Sequence, residues 1–409
     1  MAEKKNGYSR QILKQLYFNN MVSCAELSLK INKSLPLTTK ILNELIEDGW
    51  VIETGHAPST GGRRPAMYSL RQDVIYIVAV AMDQFVTRIA VMDMQNNYVT
   101  EVEKIELPLA KNSEGLPVLI NKINQVIINS GIPKTSIAGV GIGMPGFVDV
   151  EKGINYSFFE SSGKSLGERI SEKVGLPVFI DNDSSLIALA ELRFGAAKGH
   201  SNAMVLNIGW GIGLGMILKG ELFRGHNGLA GEFSHIPIFL DGKLCSCGKR
   251  GCLETESSLF AVVEKARKGL EEGRVSTLKD LPVEHVEQAS ESVINAAKEG
   301  DRFAIELLSE AGYNIGRGVA ILIHLFNPKE IVLSGRGSLA GKIWQAPIQQ
   351  AINEHCIPKL ALHTEIELSK LGYKAELIGA AALVMDNYEK EAILKTRITK
   401  FHTQKMGDN

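Results

Sequence analysis

Cys245-Ser246-Cys247-Gly248-Lys249-Arg250-Gly251-Cys252-Leu253-Glu254 places three thiols within eight residues, with glycines on either side of a basic pair. His235 stands ten positions ahead of Cys245. One imidazole and three thiolates make a tetrahedral donor set for Zn2+, and the glycines let a short loop fold around the ion. The predicted ligands are therefore His235, Cys245, Cys247 and Cys252. Four protein ligands leave no open coordination position, so the expected zinc is structural. It would pin the loop that carries Glu232, His235 and Glu254. The other two of the five cysteines, Cys24 and Cys356, stand alone. That distribution argues against a disulfide framework and for a metal loop in a reducing compartment, which makes the cytoplasm the expected location.

Upstream of this loop, strands alternate with helices. Ile75–Val80 and Arg88–Met92 are expected as strands, Leu116–Ser130 as a helix, and Ile137–Gly143 as a buried strand leading into Met144-Pro145-Gly146. Lys164–Val174 reads as a helix and Val178–Ile180 as a strand ending at Asp181-Asn182-Asp183, where a long helix of about 184–193 begins. Ligands of open α/β sheets collect at strand C-termini, which marks Asn182 and Asp183 as site candidates; Asp181 is assigned to capping. Ile208-Gly209-Trp210-Gly211-Ile212-Gly213-Leu214-Gly215 follows another strand. Its glycines suit either a phosphate loop or close packing, and the run alone does not separate the two.

Residues 1–70 have a different character. Ile12, Leu13, Leu16 and Tyr17 form one apolar stripe of a first helix,. Ser23 and Glu26 make a capping box that starts a second, and Pro36 opens a third that runs to Glu47,. Trp50–Glu53 and Tyr68–Leu70 read as two strands flanking a wing at 54–67. Three short helices followed by a two-stranded wing predict a winged helix-turn-helix. Its third helix would enter the major groove of double-stranded DNA with Thr38, Thr39, Lys40 and Asn43 on the polar face. In the wing, Thr60-Gly61-Gly62-Arg63-Arg64 sets two guanidinium groups beside flexible glycines, a combination suited to a narrow minor groove.

Charge follows the same division. The head carries nine Lys/Arg against six Asp/Glu and the remainder 36 against 40, so a net charge of −1 conceals a basic head on an acidic body,. At 409 residues with 44% hydrophobic content the chain supports two or three globular units,. The polar N-terminus is no secretory signal, and no apolar run of membrane-spanning length is present.

Taken together, these residues resemble the ROK family of bacterial sugar repressors and sugar kinases, and its transcriptional-repressor branch in particular. Gly225-His226-Asn227-Gly228-Leu229-Ala230-Gly231-Glu232-Phe233-Ser234-His235 is similar to the family signature, and Cys245–Glu254 to its C-x-C-G-x-x-G-C-x-E loop. Asn327–Gly335 resembles the late strand beside the nucleotide site, Ile378–Ala381 the closing helix, and Thr60–Arg64 the wing of the repressors. The resemblance implies an α/β fold: a winged helix-turn-helix over 1–70, a small lobe over 71–183 completed by a C-terminal helix at 384–409, and a large lobe over 184–383 with the zinc loop and a dimerisation surface. It also implies an actin- and hexokinase-like body with sugar held by Asn182, Asp183, Glu232, His235 and Glu254.

The sequence departs from the family pattern at four places. Family kinases open their first hairpin with D-x-G-G-T, where this chain has Ala81-Met82-Asp83-Gln84-Phe85. Trp210 replaces a threonine between two glycines. Phe158-Phe159 stands where relatives place a polar sugar contact, and Ser234 replaces a glycine. Asp183 matches the kinase base but is expected to bind ligand only, so no catalysis is expected. The expected function is a sugar-responsive repressor of carbohydrate genes that binds a palindromic operator as a homodimer or dimer of dimers, with a sugar or sugar phosphate as effector and no membrane partner. The alternatives are an ATP-dependent sugar kinase with a regulatory head, and a repressor controlled by a protein partner.

Overall fold

A computed structural model describes residues 2–57, 64–110, 112–159, 163–279, 281–282 and 285–388. The chain divides into two units, 1–182 with 377–409, and 183–376. No helix among the described residues is long and apolar enough to cross a membrane.

The first unit begins with α1 (Ala2–Asn19), β1 (Val22–Ser23), α2 (Cys24–Lys30), α3 (Leu35–Glu47), β2 (Val51–His56) and β3 (Ala66–Leu70). Ile12, Leu13, Leu16 and Tyr17 turn inward from α1, as their spacing requires,. The Ser23 hydroxyl accepts from the Glu26 N–H while the Glu26 carboxylate accepts from the Ser23 N–H, so both ends of the expected capping box are made. The strands form an antiparallel sheet in the order β1-β3-β2. β1 was not legible in the sequence because two residues show no alternation.

The rest of the first unit is built on β4 (Tyr76–Met82), β5 (Val86–Met92), β6 (Glu103–Glu106), α4 (Gly115–Asn129), β7 (Ile137–Met144), the small hairpin β8 (Val148–Asp149) and β9 (Ile154–Asn155), α5 (Leu166–Val174) and β10 (Val178–Asn182). Its sheet runs β10-β7-β4-β5-β6, with β4, β5 and β6 antiparallel and β7 and β10 added in parallel. Val78, Ile89, Leu119, Ile123, Ile142 and Ile180 meet in its core.

The second unit comprises α6 (Asp183–Phe194), β11 (Asn202–Ile208), β12 (Ile212–Leu218), β13 (Glu221–Phe223), α7 (Glu254–Ser257), α8 (Leu259–Glu271), α9 (Val286–Lys298), α10 (Arg302–Phe326), β14 (Glu330–Ser334), α11 (Lys342–His355), α12 (Pro358–Ala361) and β15 (Glu365–Leu368). Its sheet order is β13-β12-β11-β14-β15, again three antiparallel strands followed by two parallel ones. The two sheets are therefore the same figure drawn twice, with helices in each parallel crossover, as such connections require.

The helix that returns to the first unit is α13 (Lys374–Asp386), which begins well before the expected 384; residues 389–409 lie outside the described residues. α13 lies flush on β7. A Cβ at Gly141 would stand 1.9 Å from the Ala380 carbonyl oxygen, so only glycine permits that approach,.

Helix α1 also ties residues 1–70 to the rest of the first unit. The Tyr17 hydroxyl donates to Asn96 Oδ1 at 2.5 Å, and Lys14 Nζ donates to the Asp386 carbonyl at 2.9 Å. Leu13, Trp50, Leu70, Val74, Met94 and Met385 line the apolar seam between them.

Candidate functional site

In the second unit Glu232, Glu254 and the cysteine loop gather around a short 3-10 turn, Phe233–His235. His235 turns Nδ1 towards Cys245 Sγ at 3.5 Å and Nε2 towards Glu232 Oε2 at 3.8 Å. Cys247 Sγ lies 3.6 Å from Cys252 Sγ, and one donor atom from each of His235, Cys245, Cys247 and Cys252 falls within 4.8 Å of all the others. Two thiolates bound at about 2.3 Å to one tetrahedral ion would be about 3.8 Å apart, so the donor set fits a metal of that kind.

Local backbone makes the cluster possible. The Cys245 N–H donates to the Lys249 carbonyl and the Gly248 N–H to the Cys245 carbonyl, closing a tight knuckle. Gly251 has φ 79°, and a Cβ there would meet the Phe239 carbonyl oxygen at 1.8 Å. Burial, followed by the neighbouring thiols, pushes Cys252 up to about 12. Binding a divalent ion relieves that crowding by deprotonating the thiols.

Glu232 and Glu254 both lie within electrostatic reach of His235. Desolvation raises the pKa of both carboxyls, and the His235 charge opposes the rise. Glu254 Oε2 occupies the space that a Cβ of Gly211 would need, at 2.3 Å, and its carboxylate accepts from the Ile212 N–H. Asp183 opens α6. Its Oδ1 accepts from the Ser184 N–H at 2.8 Å, and Asn207 Nδ2 donates to its Oδ2 at 3.5 Å. Asn182, the last residue of β10 in the first unit, donates from Nδ2 to the Gly146 carbonyl at 3.2 Å. Asp181 is buried, with Oδ1 accepting from the Asn182 N–H.

The glycine run resolves towards close packing. Cβ atoms at Gly213 and Gly215 would meet Ser184 Oγ at 1.8 Å and Ala188 Cβ at 2.1 Å, so alternate positions of β12 admit α6. Beside this run is a group that sequence reasoning missed. The Arg336 guanidinium sits 5.0 Å from the Trp210 ring centroid and 5.2 Å from that of Tyr373, and it pairs with Glu287. Trp210 and Arg336 are both buried. The signal available was the Arg336-Gly337 step just past Gly335, and nothing local ties it to Trp210. In the first unit, Asp83 Oδ1 accepts from the Phe85 and Val86 N–H groups and Oδ2 pairs with Arg88, so the β4–β5 turn uses these amides internally. Phe158 and Phe159 pack against the core of the same unit.

On α3, Thr39, Lys40 and Asn43 share an exposed face with Leu35, Pro36 and Glu47. Thr38 does not belong to it. The side chain is buried and its hydroxyl donates to the Ser34 carbonyl, so the expectation that it reads DNA is corrected: it falls one position off the polar stripe and faces the core. Arg64 is exposed, whereas Arg63 and the preceding wing glycines lie outside the described residues.

The ROK family domain spans residues 78–387. The chain belongs to the ROK family. A xylose repressor of Caldicellulosiruptor bescii is 30% identical over 387 residues, covering 92% of this chain and 94% of its own length. A glucokinase of Halalkalibacterium halodurans is 32% identical over 289 residues, covering 69% of this chain and 88% of its own. Among solved structures, a ROK family transcriptional regulator described as a homologue of the E. coli MLC protein superposes with a TM-score of 0.77 at 26% identity, over 97% of this chain and all of the other. The actin- and hexokinase-like ROK fold is thus common to repressors and kinases. The repressor likeness extends over nearly the whole chain, head included.

Proposed function

We propose that this chain is a sugar-responsive transcriptional repressor of carbohydrate genes. Its head acts as a winged helix-turn-helix, with Thr39, Lys40 and Asn43 in the major groove and Arg63 and Arg64 in the minor groove. The observation that carries this reading is the exposed polar face of α3 on a head that packs, through α1, against a sugar-kinase-like lobe. The match to a xylose repressor over 92% of the chain supports it. Two heads of a dimer would bind half-sites ~34–36 Å apart, or a multiple of that spacing.

Sugar hydroxyls would meet Asp183, Glu232, His235 and Glu254, with Asn182 adjoining Asp183. Carboxylates accept hydrogen bonds from vicinal hydroxyls, and a site built to pair with them rejects ligands that leave its polar groups unpaired. Zinc held by His235, Cys245, Cys247 and Cys252 would fix the imidazole plane, leaving Nε2 for the ligand. The effector changes operator affinity only through unequal affinity for two conformations of the protein.

The kinase reading rests on the glucokinase likeness. Against it stand Trp210 stacked on Arg336, and the β4–β5 turn closed on Asp83 without a glycine pair. Phosphoryl transfer depends on positioned phosphates and Mg2+, which these features disfavour. Thermal stability against sugars, sugar phosphates and AMPPNP separates the readings. A ligand of the folded state adds ~2.7 kcal/mol at a hundredfold excess over its Kd. Stabilisation by a sugar alone, with the same sugar altering operator affinity, is the expected result. Phosphorylation of any sugar by ATP and Mg2+ would overturn it.

A further inference from the structure

Three glutamates converge at the edge of the second unit's sheet, away from the cysteine loop. Glu330 begins β14 and pairs in register with Glu365 on the parallel edge strand β15, while Glu367 lies two residues along the same strand and therefore on the same face,. One carboxylate oxygen from each falls within 4.8 Å of the other two.

Edge strands commonly carry charge as a guard against pairing with other chains. That accounts for Glu365 and Glu367, which are exposed or partly exposed and form no ion pair among the described residues. It does not account for Glu330, which is only 1% exposed. Its Oε2 faces His200 Nε2 at 3.3 Å, and its Oε1 is buried with no hydrogen-bond partner among the described residues. A buried carboxylate oxygen left unpaired beside two further carboxylates is costly unless a proton or a metal cation relieves it, and burial together with Glu367 and Glu365 pushes the Glu330 carboxyl up to about 7,.

We propose that Glu330, Glu365 and Glu367, with His200 beside them, form a divalent-cation site. Three carboxylates are a hard, all-oxygen donor set that suits Mn2+, with His200 paired to Glu330 behind them, unlike the thiolate loop, whose donors suit Zn2+,. The outer carboxylates admit the ion from solvent and leave coordination positions for water. The bound ion clamps β15, whose ladder to β14 is only four residues long, to the buried start of β14.

The test is a titration of the full-length, zinc-loaded protein with Mn2+, following loss of the free-ion paramagnetic resonance signal. One Mn2+ per chain should bind, the E365Q/E367Q double variant should bind at least tenfold more weakly, and E221Q, an exposed change on the opposite edge strand β13, should bind as the wild type does. Both glutamates of the double variant sit on an edge strand, and the single E367Q variant provides a milder check of the same loss. No binding at millimolar Mn2+, or equal binding by the wild type and the double variant, would overturn the site.

Discussion

Asp301 shows how much one side chain can hold. It caps α10 by accepting from the Ala304 N–H at 2.8 Å, and its second oxygen accepts from Ser276, from the Thr277 hydroxyl and from the Thr277 N–H. Burial alone would raise its pKa, but these donors prevail and bring it to about 2. The folded value lies below the unfolded one, so the stabilisation is complete above about pH 4 and is lost as pH falls towards 2. Asp301→Asn should cost about 2–3 kcal/mol at neutral pH, with the difference from wild type shrinking between about pH 4 and pH 2 in denaturant titrations. On α3 the contrast is between neighbouring stripes. Asn43→Ala should weaken binding to a duplex selected from random sequence by about 1–3 kcal/mol. Thr38→Val, buried and shape-preserving, should leave that affinity unchanged while lowering stability slightly. If Thr38→Val were the more damaging to DNA binding, α3 would not be the reading helix.

At the scale of elements, what the sequence could announce was what is local. The capping box of α2, the proline at the start of α3 and the thiol spacing of the metal loop all lie within ten or so residues, so their chemistry is written side by side. The glycine run was ambiguous because its partners, Ser184, Ala188 and Glu254, arrive from elsewhere in the chain. The Trp210–Arg336–Tyr373 stack and the Tyr17–Asn96 bond are longer-range still. That bond is the polar latch of the α1 seam. Asn96 holds φ 61° in a turn organised by Asp93, whose carboxylate accepts from the Gln95 and Asn97 N–H groups. Tyr17→Phe keeps the ring and removes the hydroxyl, so it should cost about 1 kcal/mol and speed amide exchange in α1 and the 93–97 turn, leaving β11–β15 unaffected. The metal loop offers a sharper loss. If the proposed zinc is held there, Cys252→Ser should lower the metal content per chain and destabilise the protein by about 4 kcal/mol or more.

For the molecule as a whole, the duplicated sheet order was the least legible feature, because the two halves share a strand order rather than a residue pattern. Charge, by contrast, was legible from the start, and it sets the last prediction. An acidic body opposes the DNA contact proposed for the head, yet at physiological salt the Debye length is about 8 Å. Acidic groups farther from the DNA than that are screened, and the local excess of Lys and Arg in residues 1–70 governs the contact. Each phosphate neutralised contributes about −0.9 to the slope of log affinity against log salt. If Arg63 and Arg64 both engage the backbone or its minor groove, R63A/R64A should flatten that slope by nearly two and weaken operator binding most at low salt. Neutralising two acidic residues of the second unit should leave the slope where it was. An unchanged slope in R63A/R64A would mean that the wing is a spacer and that Lys40 and the rest of the head carry the electrostatic contact alone.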